Sequence, residues 1–183
     1  MRLPGRGDRV DMNDGSQYRV VTDPAAHMAQ RDVFGFRAAS ARDGKPYADT
    51  AYARHRDALS GMKGLLIYQF VWQNAGTPEA QAQFLVNLLG GGLRANEMVM
   101  VDIEAASGIT DPAGFMRRWC AVVESVLDTR AWVYVPSALA ALLPRQVTQD
   151  RLVMAPRYSG TPKRGTAPWW PHDVHQYLSL IHI

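Results

Sequence analysis

The chain has 183 residues, 47% of them hydrophobic and 20% charged, with a formal net charge of +3 at pH 7. That length and apolar content suffice for a single soluble domain with a sizeable core, and Lys and Arg are scattered in ones and twos, which argues against tracking a nucleic-acid backbone. No window approaches the ~20 consecutive apolar residues of a membrane span, and the basic amino terminus lacks an apolar signal core, so neither membrane binding nor signal-directed export is expected. One cysteine, Cys120, rules out a disulfide framework and reads as a buried thiol.

Short β-type runs alternate with helical patterns along the chain. Strands are expected at Arg9–Asn13, Val33–Ser40, Gly64–Val71, Met98–Glu104, Arg130–Pro136, Arg151–Tyr158 and Val174–Leu178. Helices are expected at Asp23–Gln30, Ala48–Ser60, Pro78–Leu89, Pro112–Leu127 and Ser137–Leu143, two of them opened by the start signals Thr77-Pro78 and Asp111-Pro112. Glycine-rich breaks at Gly61–Gly64 and Gly90–Gly92 close helices ahead of strands. Strands this apolar, alternating with helices, belong to a parallel sheet covered on both faces, and the fold class expected is α/β, a single irregular TIM-like β/α barrel.

The strand Met98–Glu104 carries the chemistry. It ends in two carboxylates, Asp102 and Glu104, one residue apart; side chains at i and i+2 of a strand share a face with Cα atoms about 7 Å apart. Paired acids at a strand's carboxyl end suggest a glycosidase, while solvated acids of an ordinary loop are the plain alternative. A β/α barrel gathers its chemistry at the carboxyl ends of its strands. There the sequence supplies Asp11, Arg37, Tyr68, Phe70, Trp72, the two acids and Tyr134, a mixture of carboxylates and aromatic faces suited to a saccharide cleft. His172 and His175 form a His-x-x-His pair with no third ligand at recognisable spacing, so no metal or other cofactor is expected. No Gly-x-Ser-x-Gly elbow marks a serine nucleophile.

The order of short motifs resembles glycoside hydrolase family 25, the N-acetylmuramidases (lysozymes) of phage endolysins and bacterial autolysins. Asp11-Met12-Asn13 resembles the family's Asp-x-Ser strand end. Phe34–Ser40 resembles its Phe-x-x-x-Lys-Ala-Thr pattern, and Tyr47-Ala48-Asp49 its Tyr-x-Asp. Tyr68-Gln69-Phe70 stands where the family has Tyr-His-Phe, Gln81-Ala82-Gln83-Phe84 matches Gln-Ala-x-x-Phe, and Asp102-Ile103-Glu104 matches Asp-x-Glu. Tyr134-Val135-Pro136 and His175-Gln176-Tyr177 complete the series. Arg37 replaces Lys, Asn13 replaces Ser and Gln69 replaces His, so substrate contacts at those positions are expected to differ.

The resemblance implies hydrolysis of the β-1,4 bond between N-acetylmuramic acid and N-acetylglucosamine of bacterial peptidoglycan by a monomeric enzyme. It implies Glu104 as a general acid of raised pKa and an ionised Asp102 as nucleophile or as orienter of the substrate's 2-acetamido group, with Asp11 across the cleft. Arg37, Tyr47, Tyr68, Phe70, Tyr134 and Gln176 are implied as substrate-lining. The alternatives are a non-catalytic wall-binding domain and a chitinase-like or glucosaminidase barrel. Without a signal peptide the protein would stay cytoplasmic until released, as a phage lysin is. Residues 1–177 form the expected catalytic domain. The tail Leu178–Ile183 lacks the family's closing Asp-x-Asn strand and reads as a non-native replacement of the final strand.

Overall fold

A computed structural model describes residues 12–136, 139, 143, 151, 153–156 and 174–176. The expected order of strands and of the first four helices is present; the helix expected at Ser137–Leu143 lies largely outside the described residues. Strands β1 (Met12–Gly15), β2 (Val33–Arg42), β4 (Gly64–Phe70), β5 (Glu97–Asp102), β6 (Trp132–Tyr134), β7 (Val153–Pro156) and β8 (Val174–Gln176) pair side by side in parallel, in chain order. The one departure is β3 (Lys45–Ala48), which runs antiparallel to β2 alone. This is the curled parallel sheet of an incomplete β/α barrel. Its connections carry α1 (Pro24–Gln30), α2 (Tyr52–Ala58), α3 (Pro78–Leu88) and α4 (Pro112–Leu127).

The helix starts follow from capping. Asp23, Thr77 and Asp111 each accept a hydrogen bond from a backbone N–H three residues on, at 3.0, 3.2 and 2.8 Å, and each is followed by proline. At the end of α3, Gly90 and Gly91 take left-handed φ of 73° and 75°, and their N–H groups bond back to Asn87 and Val86.

The sheet is buried on both faces, and alternation along each strand separates two clusters. The outer face meets the helices through Phe34, Phe36, Leu65, Ile67, Val99, Val101, Val133 and, from α4, Phe115, Met116 and Trp119. The inner face gathers Val33, Leu66, Met98, Met100, Trp132, Tyr134 and Met154, with Tyr68 packed on them. These inner residues fill the barrel below the carboxyl ends of the strands. Cys120 is buried in α4 as expected, and burial pushes its thiol up to about 12.

Two expectations change. The first strand runs on past Asn13, and its last pairs are Asp14 with Gly35 and Gly15 with Phe36; residues 9–11 lie outside the described residues. The helix expected over Ala48–Ser60 is shorter, because residues 45–48 instead form β3. The cause is the Asp43-Gly44 turn: both residues have positive φ, 51° and 74°, the geometry that folds a tight hairpin. No described helix is long and apolar enough to cross a membrane. The tail 178–183 lies outside the described residues.

Candidate active site

Asp102 closes β5, where its backbone pairs with Phe70 of β4 and Tyr134 of β6. Two residues on, Glu104 keeps an extended backbone (φ −118°, ψ 169°), so strand alternation continues and it shares the inner face with Asp102. A single turn of 3-10 helix, Ala105–Ser107, holds that backbone in place. The Glu104 N–H donates to Ser107 Oγ at 3.0 Å, and the Ser107 N–H returns to the Glu104 carbonyl at 3.0 Å. Gly108, at φ 66°, ends the turn.

The two acids differ in burial. Asp102 is buried and Glu104 half-buried, and among the described residues Asp102 Oδ1 has no hydrogen-bond partner. Burial raises Asp102 well above the usual carboxylate range, and the negative charges of Glu104 and Asp14 add to the rise, while Arg37 opposes it. Burial also raises Glu104. Burial thus opposes the charged form that the resemblance implies for Asp102. Of the three acids, the burial penalty falls hardest on the deepest, Asp102.

The third acid is Asp14, which the sequence reading passed over. It sits near the end of β1, half-buried, with its pKa raised by burial and partly lowered by Arg19 3.8 Å away. Asp14-Gly15-Ser16 is itself an Asp-x-Ser pattern, so the signal that would have found it lay three residues beyond Asp11. Asp11 lies outside the described residues.

Arg37 reaches the same mouth from β2. Its Nε donates to Asp49 Oδ2 at 2.8 Å, and Asp49 Oδ1 accepts the Ala51 N–H at 2.9 Å, tying the cation to the start of α2. Tyr68, next to Arg37 in register, is half-buried and packs on the inner face. Burial raises its phenol far above the ordinary value, and Asp14 and Asp102 raise it further, so it stays a neutral hydrogen-bonding group. Phe70 is half-buried and meets Trp72 edge-on at 5.1 Å, while Trp72 Nε1 donates to Ser40 Oγ at 3.2 Å. Tyr134 is buried beside the acids, and Tyr47 is half-buried on β3.

Gln69 belongs elsewhere. It points to the outer face, where Oε1 accepts from Trp119 Nε1 at 2.8 Å, so its replacement of histidine changes the scaffold and not the cleft. Gln176 lies on β8, but its side chain, like His172, is outside the described residues. Among the described residues no three His, Cys, Asp or Glu side chains are grouped to hold a metal ion.

No protein-family model matches the chain, and no curated protein sequence does. Solved structures match its fold. The bacterial lysozyme of Streptomyces coelicolor superposes with a TM-score of 0.77 at 15% identity, over 93% of this chain and 84% of that one. A family 25 glycosyl hydrolase from Bacillus anthracis gives 0.74 at 12% identity, over 93% and 80%. The catalytic domain of endolysin ply40 from bacteriophage P40 of Listeria monocytogenes gives 0.72 at 17%, over 96% and 87%. The chain has the fold of these lysozymes.

Proposed function

We propose that the chain is a peptidoglycan hydrolase that cleaves the β-1,4 bond between N-acetylmuramic acid and N-acetylglucosamine. The observation that carries this reading is the buried Oδ1 of Asp102, unpartnered among the described residues and near two further acids at the carboxyl ends of the strands. A buried acceptor without a donor is costly, on the order of 1–3 kcal/mol, unless a ligand completes it. The N–H of a 2-acetamido group is such a donor. Holding it would turn the acetamido carbonyl oxygen toward the anomeric carbon, where it displaces the leaving sugar and leaves Asp102 to stabilise the cationic ring.

Glu104 suits the acid step. Half-buried and of raised pKa, it keeps its proton to higher pH than a solvated glutamate and still faces the cleft. Asp14, facing Asp102 from β1, takes the role first assigned to Asp11, that of the acid across the cleft, where it guides water. Tyr68 and Arg37 hold this cluster, and Phe70, Tyr134 and Tyr47 offer faces to sugar rings. Resemblance and fold both support bacterial cell-wall glycan as the substrate class.

The deciding experiment is digestion of purified peptidoglycan followed by borohydride reduction. Muramitol at the new reducing ends supports the proposal. Glucosaminitol would assign a glucosaminidase, and binding without new reducing ends would assign a non-catalytic wall-binding domain.

A further inference from the structure

An irregularity in β2 sets what lies above the acids. Arg37 pairs with Tyr68 and Ala39 with Gln69, so Ala38 is an extra residue in the strand. Ala38 and Ala39 both pack outward against the helices, after which alternation resumes one step out of phase. Ser40 and Arg42 therefore fall on the cleft side, with Arg37. Their partners across the hairpin, Tyr47 opposite Ser40 and Lys45 opposite Arg42, share that side.

Two guanidinium groups and two phenol rings then alternate. Arg37 lies 5.2 Å from the centre of the Tyr18 ring, and Arg42 lies 5.5 Å from that of Tyr47. Tyr18 is 75% exposed, and hydrogen bonds to Gln17 and Arg42, helped by the charges of Arg37 and Arg42, hold its phenol below the ordinary value. Arg37 is neutralised by Asp49. Among the described residues no carboxylate forms an ion pair with Arg42 or Lys45, although the two cations sit directly opposite each other, an arrangement that costs stability unless an anion lies between them.

We propose that Tyr18, Tyr47, Arg42 and Lys45 form a subsite for an anionic saccharide: the rings take a sugar face, and the two cations take a carboxylate carried on its stem peptide. The subsite rests on the muramidase reading, because it lies on the same face as Asp102 and Glu104 and would bind the same glycan strand. It would let the protein prefer wall glycan with free stem-peptide carboxylates over glycan whose carboxylates are amidated.

The test measures binding by titration calorimetry in a Glu104→Gln background, which prevents turnover. The ligands are one muramyl oligosaccharide with free stem-peptide carboxylates and the same oligosaccharide with those carboxylates amidated. The free form should bind about fivefold more tightly at low salt, the range of two partly exposed charge contacts. Arg42→Gln with Lys45→Gln should bring that ratio close to one, raised salt should do the same in the parent, and Arg42→Lys should retain the preference. Equal binding of both forms by the parent, or a ratio unchanged in the double variant, overturns the subsite while wall digestion by the unmodified protein leaves the muramidase reading standing. If the parent binds neither form and cleaves no wall, both fall together.

Discussion

Gln69 of β4 and Trp119 of α4 are joined by a buried hydrogen bond of 2.8 Å on the side of the sheet away from the carboxylates. The bond pins the longest helix to the strand that carries Tyr68 and Phe70. Gln69→Leu leaves the indole N–H buried without an acceptor and should cost about 1–3 kcal/mol. Chemical denaturation should show that loss. The products of wall digestion should keep their identity, and a variant as stable as the parent would show the bond to be dispensable.

Glu104→Gln keeps the shape of the acid and removes its proton. Release of reducing ends should fall by about 10²-fold or more while binding to insoluble peptidoglycan persists. Activity within a few-fold of the parent would take the general-acid role from Glu104.

Asp102→Asn should also abolish turnover, yet it should stabilise the protein. The folded pKa of Asp102 lies above the 3.8 of an ordinary aspartate, so between the two the folded state holds a proton that the unfolded state has lost. Stability from this group is therefore full below 3.8 and drains away as pH rises through the folded value. At pH 8 the asparagine variant should gain on the order of 1–2 kcal/mol, or roughly 2–8 °C in melting temperature, with a flatter dependence on pH. A lower melting temperature at that pH would show Asp102 to be paired.

Asp14→Asn and Asp11→Asn separate the two candidates for the third acid. The first should reduce wall hydrolysis by about 10²-fold, as expected of a group acting on the reacting water, and the second by a few-fold at most. The reverse order would return the role to Asp11.

The strands and most helices were legible because apolar runs and capping signals act locally. Val33–Ser40, Gly64–Val71 and Pro112–Leu127 needed nothing beyond period and punctuation. The acid pair was legible for the same reason, since the i, i+2 spacing fixes a shared face whatever the rest of the chain does. Asp14 was missed because Asp11 and Asp14 both follow plausible strand residues, and only pairing with β2 decides where β1 ends. The outward turn of Gln69 depends on which strand face meets Trp119, fifty residues away. The Ala38 bulge leaves no mark in composition at all.

His55 gives the fold an acid limit. It is buried in α2 between Phe34 and Phe36, and its Nε2 accepts the Val21 N–H at 3.1 Å, a role open only to the neutral ring. Burial lowers its pKa from 6.5, with Asp49 opposing and Arg54 adding to the shift. The unfolded state therefore takes up the proton first, and the contribution of His55, full above 6.5, is lost as pH falls through the folded value. The melting temperature of His55→Gln should fall less than the parent's between about pH 6.5 and 5. Parallel curves would show that His55 does not set this limit.

Because β3 pairs with β2 alone, the hairpin hangs from the sheet by one strand, and its Asp43-Gly44 tip bears on no other strand of the sheet. Such an appendage can be lengthened, shortened or exchanged without altering the register that brings Asp14, Asp102 and Glu104 together. Bond cleavage and choice of wall can thus diverge independently. On the muramidase reading, grafting a hairpin would retarget the protein, with the strands that carry the acids left unaltered.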